Sequence, residues 1–496
     1  MNKCISFFKE HNKITLWVMS IILGFITILF ASTVSSFLYS DFSMGQYVWD
    51  SNFFYLLGHF FSLGKTPYIE VFDHKGLYMF YYTGLGAFLG GRVAFYFIQS
   101  IFMTVTYYFI IKSMKELNVH KSLAVVSLLI FLGFYTLSIN SPSDSEPQLP
   151  FIAATLYLYI KAVTTKEDKY FIFGNILAGV CAGIAFNIRA SDAMVAVGFV
   201  IAFLVYSIRY KKWKGLLINA LVSIGAFILT CLPAILHAYF GGFLNEMIQA
   251  TLLDNFAYVG NSGDRSSINP WLCRIAIVAI AALFYVPLIL NRKKLLENEL
   301  MIFGIATGVI FFIQLIVAFY MHYLFIMFPL LFVYIPRGLS LFFNEEKKWF
   351  LIGKLTALGF AIATSLVYPI RFYLTEVDLN KELIKEVEMF VPLDARQNGQ
   401  VLCVDTYNGL YFNTSIVPSY GDFAIQRNHI EISKYYHYET YIEYLTSGKC
   451  KYVITLKDAD VNGYRSTTWF KTAEGTTYYE KVISSDLKLL DIYIYR

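Results

Sequence analysis

The side chains best suited to chemistry are concentrated in one stretch, residues 50–76, with the sequence DSNFFYLLGHFFSLGKTPYIEVFDHKG. Four of them are Asp50, Asp73, His74 and Lys75, which lie among aromatic residues. The stretch follows directly on a long apolar segment, so we expect it to lie just outside a membrane. A segment that only anchors a chain has no use for this many ionisable groups at a bilayer surface. We therefore interpret it as the segment that carries the active-site residues of an integral membrane enzyme.

Asp50 is the candidate general base of this stretch. A carboxylate beside Trp49, Phe53 and Phe54 at a membrane surface is expected to be partly desolvated, which raises its basicity. Such a group can take a proton from a hydroxyl. The residues that follow have apolar side chains at helical spacing, so Asp50 is equally well suited to cap a helix. The two roles are compatible.

The consecutive residues Asp73, His74 and Lys75 form the second feature of the stretch. Lysine and histidine are natural ligands for a phosphate at the level of lipid headgroups. We expect His74 and Lys75 to contact a lipid phosphate and Asp73 to contact the sugar or the acceptor. The alternative is a solvated cluster whose long side chains reach towards anionic lipid.

Other candidate residues lie far along the chain. Glu146 is suited to orient a sugar hydroxyl or to help hold a metal ion, although two carboxylates in SPSDSEPQ are more typical of a solvated loop. Arg189 follows an apolar run, where it is suited to bind a phosphate or simply to reach the membrane surface. Tyr258 lies in a long polar loop, and His322 and Tyr323 lie at a turn between two apolar runs. We expect these three residues to contact the substrate, either a sugar or its acceptor, and solvation of Tyr258 is the alternative.

The composition indicates a polytopic membrane protein. Of the 496 residues 57% are hydrophobic and 15% are charged, whereas soluble proteins have about 25% charged residues. Apolar runs recur over the first 370 positions, and short Lys- and Arg-rich loops place the N-terminus in the cytoplasm. We predict eleven spans, at residues 14–38, 93–111, 123–139, 149–160, 171–188, 193–208, 216–239, 271–290, 301–320, 323–335 and 350–368.

Residues 1–370 are predicted to form the membrane domain, with external loops at 41–92 and 240–270. Within the first loop, residues 76–91 are Gly-rich, and we interpret them as a re-entrant or interfacial piece. Residues 371–496 are more polar and alternate helical patterns with short runs rich in Val, Ile and Tyr. They predict a small α/β domain on the external side.

The charge and the cysteines exclude some kinds of site. The net charge of +5 is explained by the basic loops, so no nucleic-acid partner is expected. No Cys/His cluster has the spacing of a metal site. We predict no metal and no other cofactor, although a divalent cation is compatible with the sequence. Cys403 and Cys450 share the polar tail, and a disulfide between them is allowed but not required.

The stretch PYIEVFDHKG, preceded by GHFFSLGK and by Asp50, resembles the first external loop of the GT-C glycosyltransferases. The similarity is to the branch of the protein O-mannosyltransferases and aminoarabinose transferases. Asp50 matches the acidic position after the first span of that family, and Lys75 matches its phosphate-contacting lysine. GVCAGIAFNIR, which ends in Arg189, and the His322-Tyr323 pair also fit patterns of bacterial members. The chain departs from the family at Ser51, where mannosyltransferases have a second acid, and at Gly76-Leu77, where aminoarabinose transferases have two prolines.

The resemblance implies a GT-C fold and a sugar donor linked to a polyprenyl phosphate in the membrane. Asp50 would deprotonate an acceptor hydroxyl of a cell-envelope glycan or lipid, which would attack the anomeric carbon with inversion. Lys75, with His74 and Arg189, would stabilise the departing lipid phosphate. Two other classes stay open: a transporter or flippase of lipid-linked sugars, and a non-catalytic scaffold of envelope polysaccharide assembly.

Overall fold

The fold is that of a computed structural model, which describes residues 12–42, 49–138, 141–256, 270–317, 321–343, 348–424, 433–457 and 469–496. Up to Arg371 the described chain is almost entirely helical. In chain order these helices are α1 (Asn12–Ala31), α2 (Trp49–Ser62), α3 (Leu77–Glu116), α4 (Lys121–Ser138), α5 (Leu149–Thr165), α6 (Asp168–Phe186), α7 (Met194–Arg209), α8 (Trp213–Phe240), α9 (Leu244–Ile248), α10 (Pro270–Leu290), α11 (Glu299–Val317), α12 (Phe328–Ser340) and α13 (Lys348–Arg371).

These helices confirm the predicted class of a polytopic helical membrane protein. Within the described residues, eight helices are long and apolar enough to cross a bilayer. Each of the eleven predicted spans corresponds to a helix, although α5, α10 and α12 fall below that length or hydropathy. That all eleven cross the membrane stays a prediction.

The first helix is shorter than the sequence predicted. We expected the span to reach residue 38, but α1 ends at Ala31. The next residues include Ser32 and Ser35, and the hydroxyl of Ser32 accepts a hydrogen bond from the backbone N–H of Ser35 at 3.0 Å. Serine side chains offer the backbone this alternative to a helical hydrogen bond, so a serine-rich run ends the helix even among apolar residues.

The chain divides into two compact units. The membrane unit comprises Met1–Ala31, Tyr96–Leu236 and Ser262–Val367. Its buried apolar core includes Tyr107, Phe131, Phe199 and Phe328, which are at most 8% exposed. In this unit α5 packs on α6, and α7 packs on α11. The helices are apolar on most sides, as expected where one side of a helix faces its neighbours and the other faces lipid.

The second unit, which we call the loop unit, comprises Ser32–Phe95, His237–Asn261 and Tyr368–Arg496. It therefore joins the first predicted loop to part of the second one and to the C-terminal residues. After α13 its elements are α14 (Val377–Phe390), α15 (Leu393–Gln397), β1 (Val401–Val404), α16 (Gly409–Asn413), α17 (Tyr438–Thr446), β2 (Tyr452–Leu456), α18 (Ala473–Tyr478), β3 (Tyr479–Lys481) and β4 (Leu490–Tyr495).

A four-stranded sheet with the order β1-β2-β4-β3 forms the centre of the C-terminal part. The pair β1 and β2 is parallel, with Cys403 opposite Ile454, and the other two pairs are antiparallel. The three longer strands lie where the Val-, Ile- and Tyr-rich runs predicted them. Cys403 and Cys450 are buried as free thiols and form no disulfide.

The Gly-rich piece at residues 76–91 forms the start of α3 and ends at a break in that helix. Gly90 and Gly91 have φ angles of 144° and 70°, which are not helical. Just after the break, Arg92 donates hydrogen bonds to the carbonyl oxygens of Val34, Ser40 and Tyr39 at 2.5–3.2 Å. The break therefore separates residues 77–89 from the rest of α3, and Arg92 fastens the segment that precedes α2.

Candidate active site

Asp50 lies in the first turn of α2, where its carboxylate complements the partial positive charge of the helix N-terminus. The next residues that share its helix, Phe53 and Phe54, are buried, whereas the side chain of Asp50 is exposed. The expected rise in the basicity of this carboxylate stays a prediction.

The loop after α2 is closed by its own hydrogen bonds. Glu70 accepts hydrogen bonds from the ammonium of Lys65 at 3.0 Å and from the backbone N–H of Thr66 at 2.8 Å. Partial burial opposes ionisation of Glu70, but these two hydrogen bonds outweigh it and lower the pKa of its carboxyl. The Lys65–Glu70 pair is therefore part of the loop structure, and it leaves the other ionisable groups of the stretch to be considered as the site.

Asp73, His74 and Lys75 form a continuous chain of polar contacts. Asp73 is 1% exposed, and its Oδ1 lies 3.0 Å from Nδ1 of His74 and 2.7 Å from the backbone nitrogen of His74. On the other edge of the ring, Nε2 of His74 lies 3.3 Å from Nζ of Lys75. Because Nδ1 faces a carboxylate, we assign the ring proton to Nδ1, so that Nε2 accepts from the ammonium.

This arrangement orients a lysine cation. The Lys75 ammonium lies 5.7 Å from the centre of the Phe54 ring, on helix α2. A cation held between an imidazole and an aromatic ring is suited to meet an anion such as a phosphate. Asp73 was predicted to contact sugar or acceptor. Its burial and its contact with His74 favour a different role, in which it fixes the orientation of the imidazole.

Two further hydrogen bonds hold the backbone of the same residues. The buried hydroxyl of Tyr68 donates to the carbonyl oxygen of Lys75 at 3.0 Å, and Asn255 donates to the carbonyl oxygen of His74 at 2.9 Å. Burial, with the nearby Asp73 charge, raises the pKa of Tyr68 well above its usual value, so the hydroxyl remains a donor. We refer to residues 68–75 as the DHK loop.

Glu146 lies in the membrane unit and is fully buried. Its Oε2 accepts from the hydroxyl of Ser141 at 2.8 Å and lies within 3.5 Å of the amide nitrogen of Gln99 and the backbone nitrogen of Ser143. The prediction that Glu146 orients a sugar stays untested. The contacts favour a structural role, since this carboxylate ties residues 141–146 to helix α3.

Arg189 also lies in the membrane unit and is 7% exposed. Its guanidinium donates to Asp192 at 2.8 Å, to Asp144 at 3.0 Å and to the hydroxyl of Ser145 at 3.0 Å. Two carboxylates thus match its charge. The sequence predicted a phosphate contact here, whereas the geometry favours a structural one that fastens the loop after α4 to the end of α6.

The glycines of the GVCAGIAFNIR motif explain how α6 reaches its neighbour. A Cβ atom on Gly179 would lie 2.2 Å from the carbonyl oxygen of Ser223, and one on Gly183 would lie 2.7 Å from Cβ of Thr230. Both contacts are with α8. The glycines allow close approach of two apolar helices, as small residues four apart commonly do in membranes.

Three predicted contacts are only partly described. His322 and Tyr323 belong to a 3-10 turn, Met321–Met327, that precedes α12, but their side chains lie outside the described residues. Tyr258 lies outside them altogether. Among the residues that the structure does describe, no three His, Cys, Asp or Glu side chains are grouped as they would be around a metal ion.

Sequence reasoning missed the residues that hold the DHK loop from a distance. Asn255 and Tyr68 donate to backbone carbonyl oxygens of this loop, and their residue types do not indicate these contacts in the sequence. Tyr436 and Gly421, which contact Ile69 and Phe72, carry no signal in the sequence because they lie about 350 residues away.

Comparisons with known proteins agree with this fold. Residues 74–237 match the sequence model of the dolichyl-phosphate-mannose-protein mannosyltransferase family. The chain is similar to the crystal structure of ArnT from Cupriavidus metallidurans bound to undecaprenyl phosphate, with a TM-score of 0.57 and 10% identity over 97% of this chain and 98% of that one. The apo structure of the same protein gives a TM-score of 0.40 at 10% identity, over 98% of each chain. No curated protein matches the chain.

The family match begins at His74, inside the DHK loop, and ends at His237, near the end of α8. The likeness to ArnT extends over nearly the whole length of both chains, so it includes the C-terminal α/β part as well as the helices. The chain therefore has an ArnT-like GT-C fold, and its residues 74–237 match the sequence model of the mannosyltransferase family.

Proposed function

We propose that the chain is an integral membrane glycosyltransferase that moves a sugar from a polyprenyl phosphate to a hydroxyl group of a cell-envelope acceptor on the external face. The observation that carries the proposal is the contact chain from Asp73 through His74 to Lys75. The family match and the ArnT fold support the same reaction class, since the names of both relatives refer to polyprenyl-type lipid phosphates.

In the proposed reaction the exposed carboxylate of Asp50 takes the proton of the acceptor hydroxyl. The hydroxyl oxygen forms a bond to the anomeric carbon while the bond from that carbon to the phosphate oxygen breaks, with inversion. The electron pair of the broken bond stays on the lipid phosphate. The Lys75 ammonium, which the Asp73–His74 contact orients, would stabilise the negative charge that develops on this leaving group. Stabilisation by charges that are already in position is usually the largest contribution to catalysis.

The proposal gives Asp50 and Lys75 distinct tests. In native membranes, which contain the acceptor, supplied with a labelled polyprenyl-phosphate sugar, Asp50→Asn should bind the donor but cleave it roughly 10²- to 10⁴-fold more slowly. Lys75→Ala should cleave it about 10²- to 10³-fold more slowly, and it should also bind the donor more weakly because the phosphate loses a cation. Release of free polyprenyl phosphate measures the rate of cleavage, and native mass spectrometry measures binding of the donor.

The same stretch offers matched controls. Asp41 is an exposed carboxylate before α2, and Lys65 is a lysine of the same loop that pairs with Glu70. Asp41→Asn and Lys65→Ala should keep nearly the activity of the unmodified protein. Full activity in both test variants would refute the assignment. Binding of the donor without cleavage by the unmodified protein would instead favour a transporter.

A further inference from the structure

The C-terminal part of the loop unit holds the DHK loop directly. The hydroxyl of Tyr436 donates to the carbonyl oxygen of Ile69 at 2.5 Å, and the backbone N–H of Phe72 donates to the carbonyl oxygen of Gly421 at 2.9 Å. The rings of Phe72 and Tyr436 lie 4.5 Å apart, centre to centre. Ile69 and Phe72 are thus both attached to the C-terminal part. We call the two residues that attach them, Gly421 and Tyr436, the clasp.

The clasp is tightly packed. A Cβ atom on Gly421 would lie 2.3 Å from the hydroxyl of Tyr436 and 2.7 Å from the carbonyl oxygen of Ile69, so a larger residue would displace the loop. Tyr436 is buried, and burial raises the pKa of its hydroxyl far above the usual value, with the nearby Tyr420 and Asp422 adding to the effect. The hydroxyl therefore stays protonated and remains a donor at any physiological pH.

The clasp contacts the residues that directly precede Asp73, although it lies about 350 positions later in the sequence. Phe72, which donates to Gly421, is followed at once by Asp73, whose carboxylate holds His74. On the far side the backbone is fixed again by Tyr68 and Asn255. Ile69 and Glu70 are exposed, whereas Val71 and Phe72 are buried. Hydrogen bonds from elsewhere in the unit therefore add to the packing of the loop in setting its position.

We infer that the C-terminal α/β part positions the DHK loop for the proposed reaction, and that Tyr436 is a positioning residue which acts on the leaving phosphate through Lys75. The inference rests on the proposed function. It assigns a role in turnover to a domain that could otherwise serve for acceptor recognition or as a passive lid. A cation that is misplaced by a fraction of an ångström still binds the phosphate, but it loses part of its effect on the transition state.

Tyr436→Phe tests the inference with the smallest change, since it removes one hydrogen bond and keeps the ring beside Phe72. We expect kcat to fall by about 5- to 50-fold, while the KM for the donor and the thermal unfolding temperature change little. Tyr495→Phe is the matched control, because the Tyr495 hydroxyl also donates to a backbone carbonyl, that of Thr446, within the same domain. It should leave kcat unchanged.

A double variant separates positioning from a general structural effect. If Tyr436 acts through Lys75, Tyr436→Phe should have little further effect on turnover when Lys75 is already alanine. An equal loss of activity in both backgrounds, or no loss with Lys75 intact, would overturn the inference. Full activity of Lys75→Ala alone would refute the proposed function instead, so the two failures are distinguishable.

Discussion

The guanidinium of Arg189 uses all three of its nitrogen atoms on partners within the protein. Asp192, Asp144 and Ser145 accept from Nε, Nη1 and Nη2, and the side chain is almost completely buried. A buried cation matched in this way contributes to the folded state as long as its partners are present. In contrast to the buried Arg189, Asp50 is exposed in the first turn of α2, as the proposed role of a base requires.

Arg189→Met should therefore act on stability more than on donor binding. It leaves two buried carboxylates without their cation, which typically costs about 3–5 kcal/mol. Thermal unfolding in detergent should show a large decrease in midpoint, whereas the KM for the donor in the folded fraction should stay close to normal. Arg292→Met, at an exposed arginine between α10 and α11, is the control. A raised KM with an unchanged midpoint would instead support the predicted contact of Arg189 with the lipid phosphate.

The local contacts of the candidate site could be predicted from the sequence, whereas the roles of its residues stay predictions. Asp73, His74 and Lys75 are consecutive, so their contact follows from sequence proximity, and the motif already contains the aromatic residues around Lys75. The burial of Asp73, Glu146 and Arg189 could not be predicted, because it depends on residues far away in the chain. Arg189 meets Asp144 across 45 positions of the chain, and a single sequence contains nothing that pairs them.

Among the elements, α2 connects the proposed base to the C-terminal part. Its buried residues Phe53 and Phe60 contact Phe423, with ring centres 5.3 and 5.4 Å apart. The ring of His59, the residue before Phe60, lies 5.2 Å from that of Phe412 on α16. The orientation of the helix that carries Asp50 is thus set by aromatic contacts with residues about 350 positions later.

His59 makes this contact sensitive to pH. Burial lowers the pKa of His59 in the folded protein below its usual value of about 6.5. The unfolded state therefore binds a proton more readily, so this contribution to stability is fully present above that value and is lost as the pH falls through the folded pKa. The thermal midpoint should decrease between pH 7.5 and pH 5, and it should decrease less in His59→Leu. An identical pH dependence in both proteins would show that His59 does not contribute.

The elements themselves were largely predictable. Long apolar runs gave a helix at each predicted span, and the periodicity of residues 379–390 and 440–449 gave α14 and α17. The strand β3 was missed because it has three residues, too few to show alternation. The strand order β1-β2-β4-β3 could not be predicted from the sequence either, because side-chain packing across the sheet decides which strands pair.

For the whole molecule, the charge pattern predicts a cytoplasmic N-terminus and an external C-terminal domain. Two exposed positions allow this to be tested. Ile483 lies in the C-terminal domain and is 95% exposed, and Arg292 lies in a basic turn between α10 and α11. Cysteine at 483 should react with a membrane-impermeant thiol reagent on intact cells, whereas cysteine at 292 should react only after permeabilisation. The opposite pattern would invert the assigned orientation.

The unmodified protein is the control for this labelling. Among the cysteines whose side chains are described, Cys181, Cys231, Cys403 and Cys450 are buried free thiols and should react little, and the unmodified protein also measures any reaction of Cys4 and Cys273. The result bears on the proposed function as well, because Asp50, Lys75 and the clasp all belong to the loop unit and should share one side of the membrane with residue 483.

The loop unit is assembled from three distant segments, and this affects how the protein is made. Residues 32–95 leave the ribosome first, yet their partners at 421 and 436 follow more than 300 positions later. At about 5–20 residues per second, the DHK loop waits some tens of seconds before its clasp exists. During that interval the buried aromatic face of α2 has no cover. The proposed function therefore implies that a newly inserted chain becomes active only after the segment that contains Gly421 and Tyr436 has folded onto the DHK loop.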